Sequence, residues 1–190
     1  MVNQKPMPRV ITFFVICSLL YACKQDSNTP YTDADWPAYH GDKRVAHYSI
    51  LDQITKANVN KLKVAWRYDG GEADPNNRSQ IQCNPLIIDG VLYGTSATRK
   101  LFALNAATGE RIWQFNPDKD SVLSEGVNRG LVYWKDEKES RLFYGTGPYL
   151  FAINPSTGEL IESFADRGKV NLKDNLGRNV DNNPYTLSTP

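Results

Sequence analysis

The sequence has 190 residues, of which 41% are hydrophobic, 11% aromatic and 23% charged. This composition is typical of a folded domain and unlike that of a disordered tail or a bundle of membrane helices. Because 22 basic residues nearly balance 21 acidic ones, and no long basic cluster occurs after the extreme N-terminus, nucleic acid is excluded as a partner.

The N-terminal segment has the pattern of an export signal. Lys5 and Arg9 precede an apolar run over residues 10–20. This run is too short to cross a bilayer as a helix, which needs about 20 residues. It is therefore predicted to be the hydrophobic part of a signal peptide over residues 1–22, and export to the periplasmic side is expected.

The end of this segment, Leu-Tyr-Ala-Cys at residues 20–23, resembles the lipobox of bacterial lipoproteins, although Tyr21 stands where a small residue is usual. The resemblance implies that Cys23 is lipidated and anchors the protein to a membrane, with residues 23–34 as a polar tether. The alternative is an ordinary signal peptide with an unmodified cysteine. If Cys23 is acylated, Cys83 has no partner for an intramolecular disulfide.

A repeated pattern dominates the rest of the sequence. Residues 101–115 return as residues 150–164, and both copies contain Asn-x-x-Thr-Gly between β-rich stretches. Asparagine can bond its own backbone and glycine can adopt the positive φ of a tight turn, so each copy is predicted to be an antiparallel hairpin. Two more β-rich stretches precede each copy. The sequence therefore predicts four-stranded blades at about residues 81–115 and 130–164.

Four-stranded units that recur about every 50 residues predict an all-β fold, a β-propeller of four-stranded antiparallel blades. Each blade has apolar faces that only its neighbours can cover. A β-sandwich is the alternative, but a sandwich does not require nearly identical hairpins at fixed spacing. Propellers close with about four to eight blades, and a third blade is predicted to start near residue 186. The sequence is therefore expected to be truncated and to contain about two blades.

The pattern Ala-x-Asn-x-x-Thr-Gly-x-x-x-Trp, which ends at Trp113, resembles the tryptophan-docking repeat of pyrroloquinoline quinone (PQQ)-dependent quinoprotein dehydrogenases. In that family the indole packs between blades, and its N–H can reach a carbonyl of the next blade. Glu162 stands at this position in the second copy. The resemblance extends to residues 35–66, which open with Asp-Trp-Pro, and to the Val-Asn-Arg-Gly of residues 126–134. It implies that residues 35–190 are the N-terminal part of a propeller of about eight blades around PQQ and calcium.

The same resemblance implies a set of cofactor-binding residues. PQQ carries carboxylates and a quinone, so its site needs fixed cations and hydrogen-bond donors around a flat apolar slot. The resemblance puts Arg129 at the cofactor, Val127 in apolar contact, Gln82 where several members have a glutamate, and Ser188 as a hydroxyl partner. The alternatives are an Arg129 that pairs with a carboxylate and a solvated Ser188. Calcium ligands and the catalytic aspartate are expected beyond this chain, so no catalytic or metal residue is assigned.

Two features indicate the branch of the family. Residues 162–172 and the Asp-Trp-Pro opening resemble membrane-type glucose and polyol dehydrogenases, and the methanol-oxidising branch has adjacent cysteines where this sequence has Leu-Ser-Glu at residues 123–125. The implied activity is oxidation of a glucose-like sugar or an alcohol, with electrons passed to a respiratory quinone or cytochrome. A non-catalytic propeller lipoprotein that acts as an outer-membrane assembly scaffold, and a sugar-binding propeller without redox chemistry, remain alternatives. His40 and His47 are interpreted as loop histidines, because no carboxylate or cysteine stands at ligand spacing.

Overall fold

The computed structural model describes residues 32, 34–42, 45–76, 78–117, 127–178 and 187–188. All of them belong to one unit, Tyr31–Pro190. The predicted signal segment and Cys23 lie outside the described residues. Within the described part of the chain, no helix is long and apolar enough to cross a membrane.

The strands form two four-stranded antiparallel sheets, and in each sheet the strands lie side by side in chain order. A short 3-10 helix, Val59–Lys61, precedes them. The first sheet contains β1 (Leu86–Ile88), β2 (Val91–Thr95), β3 (Leu101–Asn105) and β4 (Arg111–Phe115), and the second contains β5 (Val132–Lys135), β6 (Ser140–Thr146), β7 (Tyr149–Ile153) and β8 (Lys169–Asn171). The predicted all-β fold of four-stranded antiparallel sheets is confirmed.

The repeated turn has the predicted structure in both sheets. In the first sheet, Asn105 Oδ1 accepts hydrogen bonds from the N–H groups of Ala107 at 2.9 Å and Thr108 at 3.1 Å. In the second sheet, Asn154 Oδ1 accepts a hydrogen bond from the N–H of Ser156 at 2.9 Å. Gly109 closes the first turn with a φ of 76°, which a glycine adopts at little cost.

A single cluster of buried apolar side chains joins the two sheets. Side chains alternate across each strand, so every second residue of β2, β3 and β6 faces this cluster. Full burial of one large aliphatic side chain contributes roughly 1.5–3 kcal/mol, which makes the shared cluster the main source of cohesion. Its buried members are Leu86, Ile88, Tyr93, Leu101, Ala103, Leu131, Leu142, Tyr144, Phe151 and Ile153.

Trp113 joins β4 of the first sheet to the second sheet. Its Nε1 donates a hydrogen bond to the carbonyl oxygen of Pro155 at 2.9 Å. The ring lies so close to the turn that a Cβ on Gly158 would be 2.6 Å from the indole. The predicted docking of Trp113 on the next blade is confirmed.

Trp66 makes the same contact with the first sheet. Its Nε1 donates to the carbonyl oxygen of Ala106 at 3.1 Å, and a Cβ on Gly109 would lie 2.6 Å from its indole. Sequence reasoning assigned Trp66 only to the opening segment. Its distance from Trp113 along the chain, close to the repeat length, is the signal that identifies it as a second docking tryptophan.

The second copy of the repeat differs from the predicted hairpin. After its turn only Leu160 bridges back to β7, and the strand that completes the sheet is Lys169–Asn171. Glu162 replaces the Trp113 of the first copy, so this stretch has no large side chain to dock on a further turn. Phe164 instead packs against β6, with its ring centroid 5.6 Å from that of Phe143.

Candidate cofactor-binding site

Three chain segments meet at one end of the two sheets. The N–H of Asn84, just before β1, donates to the carbonyl oxygen of Arg129 at 2.8 Å. The N–H of Arg129, just before β5, donates to the carbonyl oxygen of Ser188 at 2.7 Å. The backbone of Arg129 is therefore fixed on both sides, by the segment before the first sheet and by the segment at residues 187–188.

The Arg129 side chain lies at this junction. Arg129 is half-buried, and its Nη1 donates a hydrogen bond to Ser188 Oγ at 3.1 Å. Among the described residues, it pairs with no carboxylate. Because a guanidinium has several N–H donors in a fixed fork, donors remain for an oxygen-rich ligand.

Asn128 sets the backbone direction at this point. Its side chain is 5% exposed, its Nδ2 donates to the carbonyl oxygen of Gly145 at 2.8 Å, and its Oδ1 accepts from the N–H of Gly130 at 2.9 Å. Asn128 belongs to the Val-Asn-Arg-Gly motif, but the motif alone predicts no role for it. A buried amide that is bonded at both its nitrogen and its oxygen fixes the turn that presents Arg129.

Asn84 was also missed by sequence reasoning. Its Nδ2 donates to the carbonyl oxygen of Arg129 at 3.4 Å, in addition to its backbone bond. Leu86 and Leu131 are both buried; Leu86 is the first residue of β1 and Leu131 directly precedes β5. Asn84 and Arg129 each lie two residues before them. This spacing is the signal that relates the two positions. We call Asn84, Asn128, Arg129 and Ser188 the Arg129 cluster.

Gln82 and Val127 flank this cluster at corresponding positions. Gln82 lies two residues before Asn84, and Val127 lies two residues before Arg129. The Gln82 side chain is exposed, and among the described residues its Nε2 bonds only Gln80, at 3.0 Å. Val127 is half-buried. The structure thus brings Arg129 and Ser188 into direct contact, whereas neither of the flanking side chains bonds them.

The chemistry of these groups fits a ligand with carboxylate and carbonyl oxygens. The Arg129 guanidinium supplies a fixed positive charge, and the Ser188 hydroxyl and Gln82 amide supply further hydrogen-bond donors. Charged donors bind carboxylates more strongly than neutral ones do. The residues present therefore match the donor set that PQQ requires.

A cavity of about 810 Å³ lies elsewhere, over the other face of the first sheet. It is lined by aromatic and aliphatic side chains that include Trp66, Leu92 and Phe102, together with Cys83. Cys83 is a free thiol, and burial raises its pKa, partly offset by hydrogen bonds with Thr95. The cavity lining does not include Arg129 or Ser188, so the cavity and the Arg129 cluster are separate features of the structure.

Metal ligands were not expected in this part of the chain. Among the described residues, no group of three or more histidine, cysteine, aspartate or glutamate side chains could hold a metal ion. His40 and His47 lie against each other, with ring centroids 3.9 Å apart. Desolvation and the neighbouring His47 both lower the pKa of His40.

Comparisons with known proteins identify the same family over most of the chain. Residues 36–190 match the family described as "PQQ: Glucose/ethanol/alcohol dehydrogenase, beta-propeller domain". The dehydrogenase subunit of a quinone alcohol dehydrogenase from Gluconobacter oxydans is 35% identical over 153 residues, which cover 74% of this chain and 19% of that protein. The quinoprotein glucose dehydrogenase of Escherichia coli is 32% identical over 172 residues, which cover 82% of this chain and 22% of that protein.

Solved structures give the same result. The quinohemoprotein alcohol dehydrogenase from Comamonas testosteroni matches with a TM-score of 0.59 at 27% identity, over 74% of this chain and 20% of that one. A quinohemoprotein alcohol dehydrogenase from Pseudomonas putida HK5 matches with a TM-score of 0.61 at 27% identity, over 77% and 20%. The chain thus spans about a fifth of the length of the curated relatives it matches. Its repeated sheets, docked tryptophans and matched residues show that the chain belongs to the family of PQQ glucose/ethanol/alcohol dehydrogenase β-propeller domains.

Proposed function

We propose that this chain forms part of a PQQ-dependent dehydrogenase that oxidises a small sugar or alcohol, and that the Arg129 cluster is one side of its cofactor site. The observation that carries the proposal is Arg129, a half-buried residue. Its backbone is bonded on both sides, its guanidinium donates to Ser188 Oγ, and among the described residues it has no carboxylate partner.

Bound PQQ would supply the quinone that accepts the hydride of the substrate. Arg129 would bind a carboxylate or quinone oxygen, where a guanidinium forms charge-assisted hydrogen bonds. The Ser188 hydroxyl accepts a bond from Arg129 and can donate its own proton to a carboxylate. Gln82 would add an amide donor and Val127 an apolar contact. We derive no step through calcium and assign no catalytic base.

The finer assignments are also proposals. A glucose-like substrate is supported by the likeness of residues 162–172 to membrane-type glucose and polyol dehydrogenases, although the relatives are named for alcohol, glucose and glycerol oxidation. We further propose a respiratory quinone or cytochrome as the electron acceptor, calcium beside the cofactor, and a lipid anchor at Cys23 on the periplasmic side. The scaffold alternative receives no support from the comparisons, whose reported members are dehydrogenases.

The activity is tested by dye reduction in the complete protein that carries this sequence, after addition of PQQ and calcium. Glucose, glycerol and ethanol are supplied separately, and protein without PQQ is the control. We expect PQQ-dependent dye reduction with at least one substrate, and glucose as the best of the three. No reduction with any of the three would refute the dehydrogenase proposal, whereas reduction with ethanol or glycerol but not with glucose would refute the glucose assignment.

A further inference from the structure

Glu72 is a nearly buried carboxylate that the candidate site does not use. Its side chain is 9% exposed, and Oε1 lies 2.9 Å from Lys100 Nζ. The second oxygen accepts a hydrogen bond from the N–H of Thr98 at 3.1 Å and another from the Thr98 hydroxyl. Since Thr98 and Lys100 belong to the turn between β2 and β3, Glu72 fastens the segment after Trp66 to the first sheet.

The ionisation of Glu72 agrees with this geometry. Burial alone would raise the pKa of the carboxyl, but hydrogen bonds from Lys100, Ser96 and Thr98 outweigh it and lower the pKa to about 2. Glu72 is therefore charged at neutral pH and paired with a cation. A charge that is mostly removed from water and well bonded restrains its segment more than an exposed ion pair does.

The turn that receives Glu72 is itself firmly held. The N–H of Ser96 donates to the carbonyl oxygen of Lys100 at 2.9 Å, and Lys100 N–H donates to Ser96 Oγ at 3.0 Å. The hydroxyl of Tyr144, on β6, donates to the carbonyl oxygen of Arg99. The turn is thus connected to both sheets.

The segment that Glu72 fastens ends at the Arg129 cluster. Residues 73–83 run from Glu72 to Asn84, whose N–H bonds the Arg129 carbonyl oxygen at 2.8 Å. Gln82 lies near the end of this segment and is exposed, and its one side-chain bond among the described residues is to Gln80. Gln82 has little packing of its own, so its position depends on how the two ends of the segment are fixed.

We propose that Glu72 is a positioning residue of the cofactor site: its ion pair with Lys100 fixes the start of the segment that leads to Gln82 and so keeps Gln82 in place beside Asn84. The inference rests on the proposed function, because it gives Gln82 a role in binding PQQ. Glu72 itself would not touch the cofactor and would act only through the segment it fastens.

The test is a double-variant cycle in the complete protein, with PQQ affinity measured by fluorescence titration. Glu72→Gln preserves size and an acceptor for Thr98 but removes the charge, and we expect it to raise the Kd for PQQ about threefold or more. Gln82→Ala should give a similar loss. The double variant should bind no more weakly than Gln82→Ala alone, because residues that act through one another are not additive. Additive losses would overturn the proposal.

The matched control is Glu139→Gln, since Glu139 pairs with Arg141 at a site where its side chain is 42% exposed. We expect no change in PQQ affinity for this variant. Lys100→Met removes the same ion pair from the other side and should raise the Kd for PQQ as Glu72→Gln does. It serves as the test if Glu72→Gln folds poorly. An unchanged Kd in Lys100→Met would also overturn the proposal.

Limited trypsin cleavage provides a readout that does not depend on PQQ. Arg78, whose side chain is 72% exposed, lies within the fastened segment, and Glu72→Gln should accelerate cleavage after it at temperatures well below melting. Unchanged cleavage would overturn the restraint itself. If the wild-type protein fails to bind PQQ, the proposed function and the positioning role fall together, whereas faster cleavage would still support the restraint.

Discussion

At the level of single residues, the central feature is an arginine whose backbone is fixed on two sides. Asn84 and Ser188 bond the backbone of Arg129, and the buried Asn128 sets the turn that presents it. This arrangement lowers the conformational cost of binding a ligand, because the backbone is already ordered before the ligand arrives. A single flexible surface arginine would not offer the same advantage.

Replacing Arg129 tests this feature. We expect Arg129→Ala to weaken PQQ binding by more than about 1 kcal/mol, the scale of a lost charge-assisted hydrogen bond. The control is Arg167→Ala, since the Arg167 side chain is 85% exposed and lies 3.7 Å from its carboxylate partner. The measurement is a fluorescence titration of both variants with PQQ. Their melting temperatures are compared to show that both variants are folded. Equal affinity of Arg129→Ala and wild type would assign Arg129 to structure alone.

Parts of this cluster were accessible from the sequence and parts were not. The Val-Asn-Arg-Gly motif and the resemblance identified Arg129 and Ser188, which the structure brings within 3.1 Å of each other; their cofactor role remains a prediction. Asn84 and Glu72 escaped because their partners lie 45 and 26 residues away along the chain. No local pattern signals the partner of Glu72, and Asn84 is related to Arg129 only by their matching spacing before Leu86 and Leu131.

At the level of elements, a docked tryptophan and a tight turn form the joint between sheets. Trp113 and Trp66 each donate to a carbonyl oxygen of the next Asn-x-x-Thr-Gly turn, and each packs where glycine leaves space. The turn therefore has two roles, since it closes a hairpin and receives the indole. Both roles require the glycine, once for its positive φ and once for its missing side chain.

The joint can be tested by truncation. We expect Trp113→Ala to cost about 3 kcal/mol of unfolding free energy, because it removes a large apolar contact and a hydrogen bond to Pro155. Trp134→Ala is the matched control, since Trp134 is 40% exposed on β5 and should cost about 1 kcal/mol or less. Urea unfolding of both variants gives the comparison. Equal losses would show that Trp113 is an ordinary surface aromatic and no joint.

The elements also show where repetition stops being a guide. The two Asn-x-x-Thr-Gly turns were predictable because their chemistry is local. The last strand of the second sheet was not, since it forms at Lys169–Asn171 and not directly after the turn. Because Glu162 stands where the first copy has its docking tryptophan, the local pattern does not determine which residues pair with β7. Tertiary packing determines that pairing instead.

At the level of the whole molecule, the described chain presents two neighbouring sheets of a repeating fold. The first sheet has a second apolar face, which carries Trp66 and the cavity of about 810 Å³. Because the fold repeats, this face corresponds to the face of the second sheet that packs against the first sheet. The segments of the Arg129 cluster lie at one end of adjacent sheets. In a propeller the blades surround a central channel, and we propose that the cluster contributes one sector of a site there.

Whether the Arg129 cluster binds PQQ is measured by equilibrium titration of the complete protein with PQQ. Tryptophan fluorescence is followed as PQQ is added at neutral pH, with Arg129→Ala measured in parallel. We expect saturable binding by the wild type and a weaker, right-shifted curve for the variant. Absence of saturable binding by a folded wild-type protein would contradict the proposal.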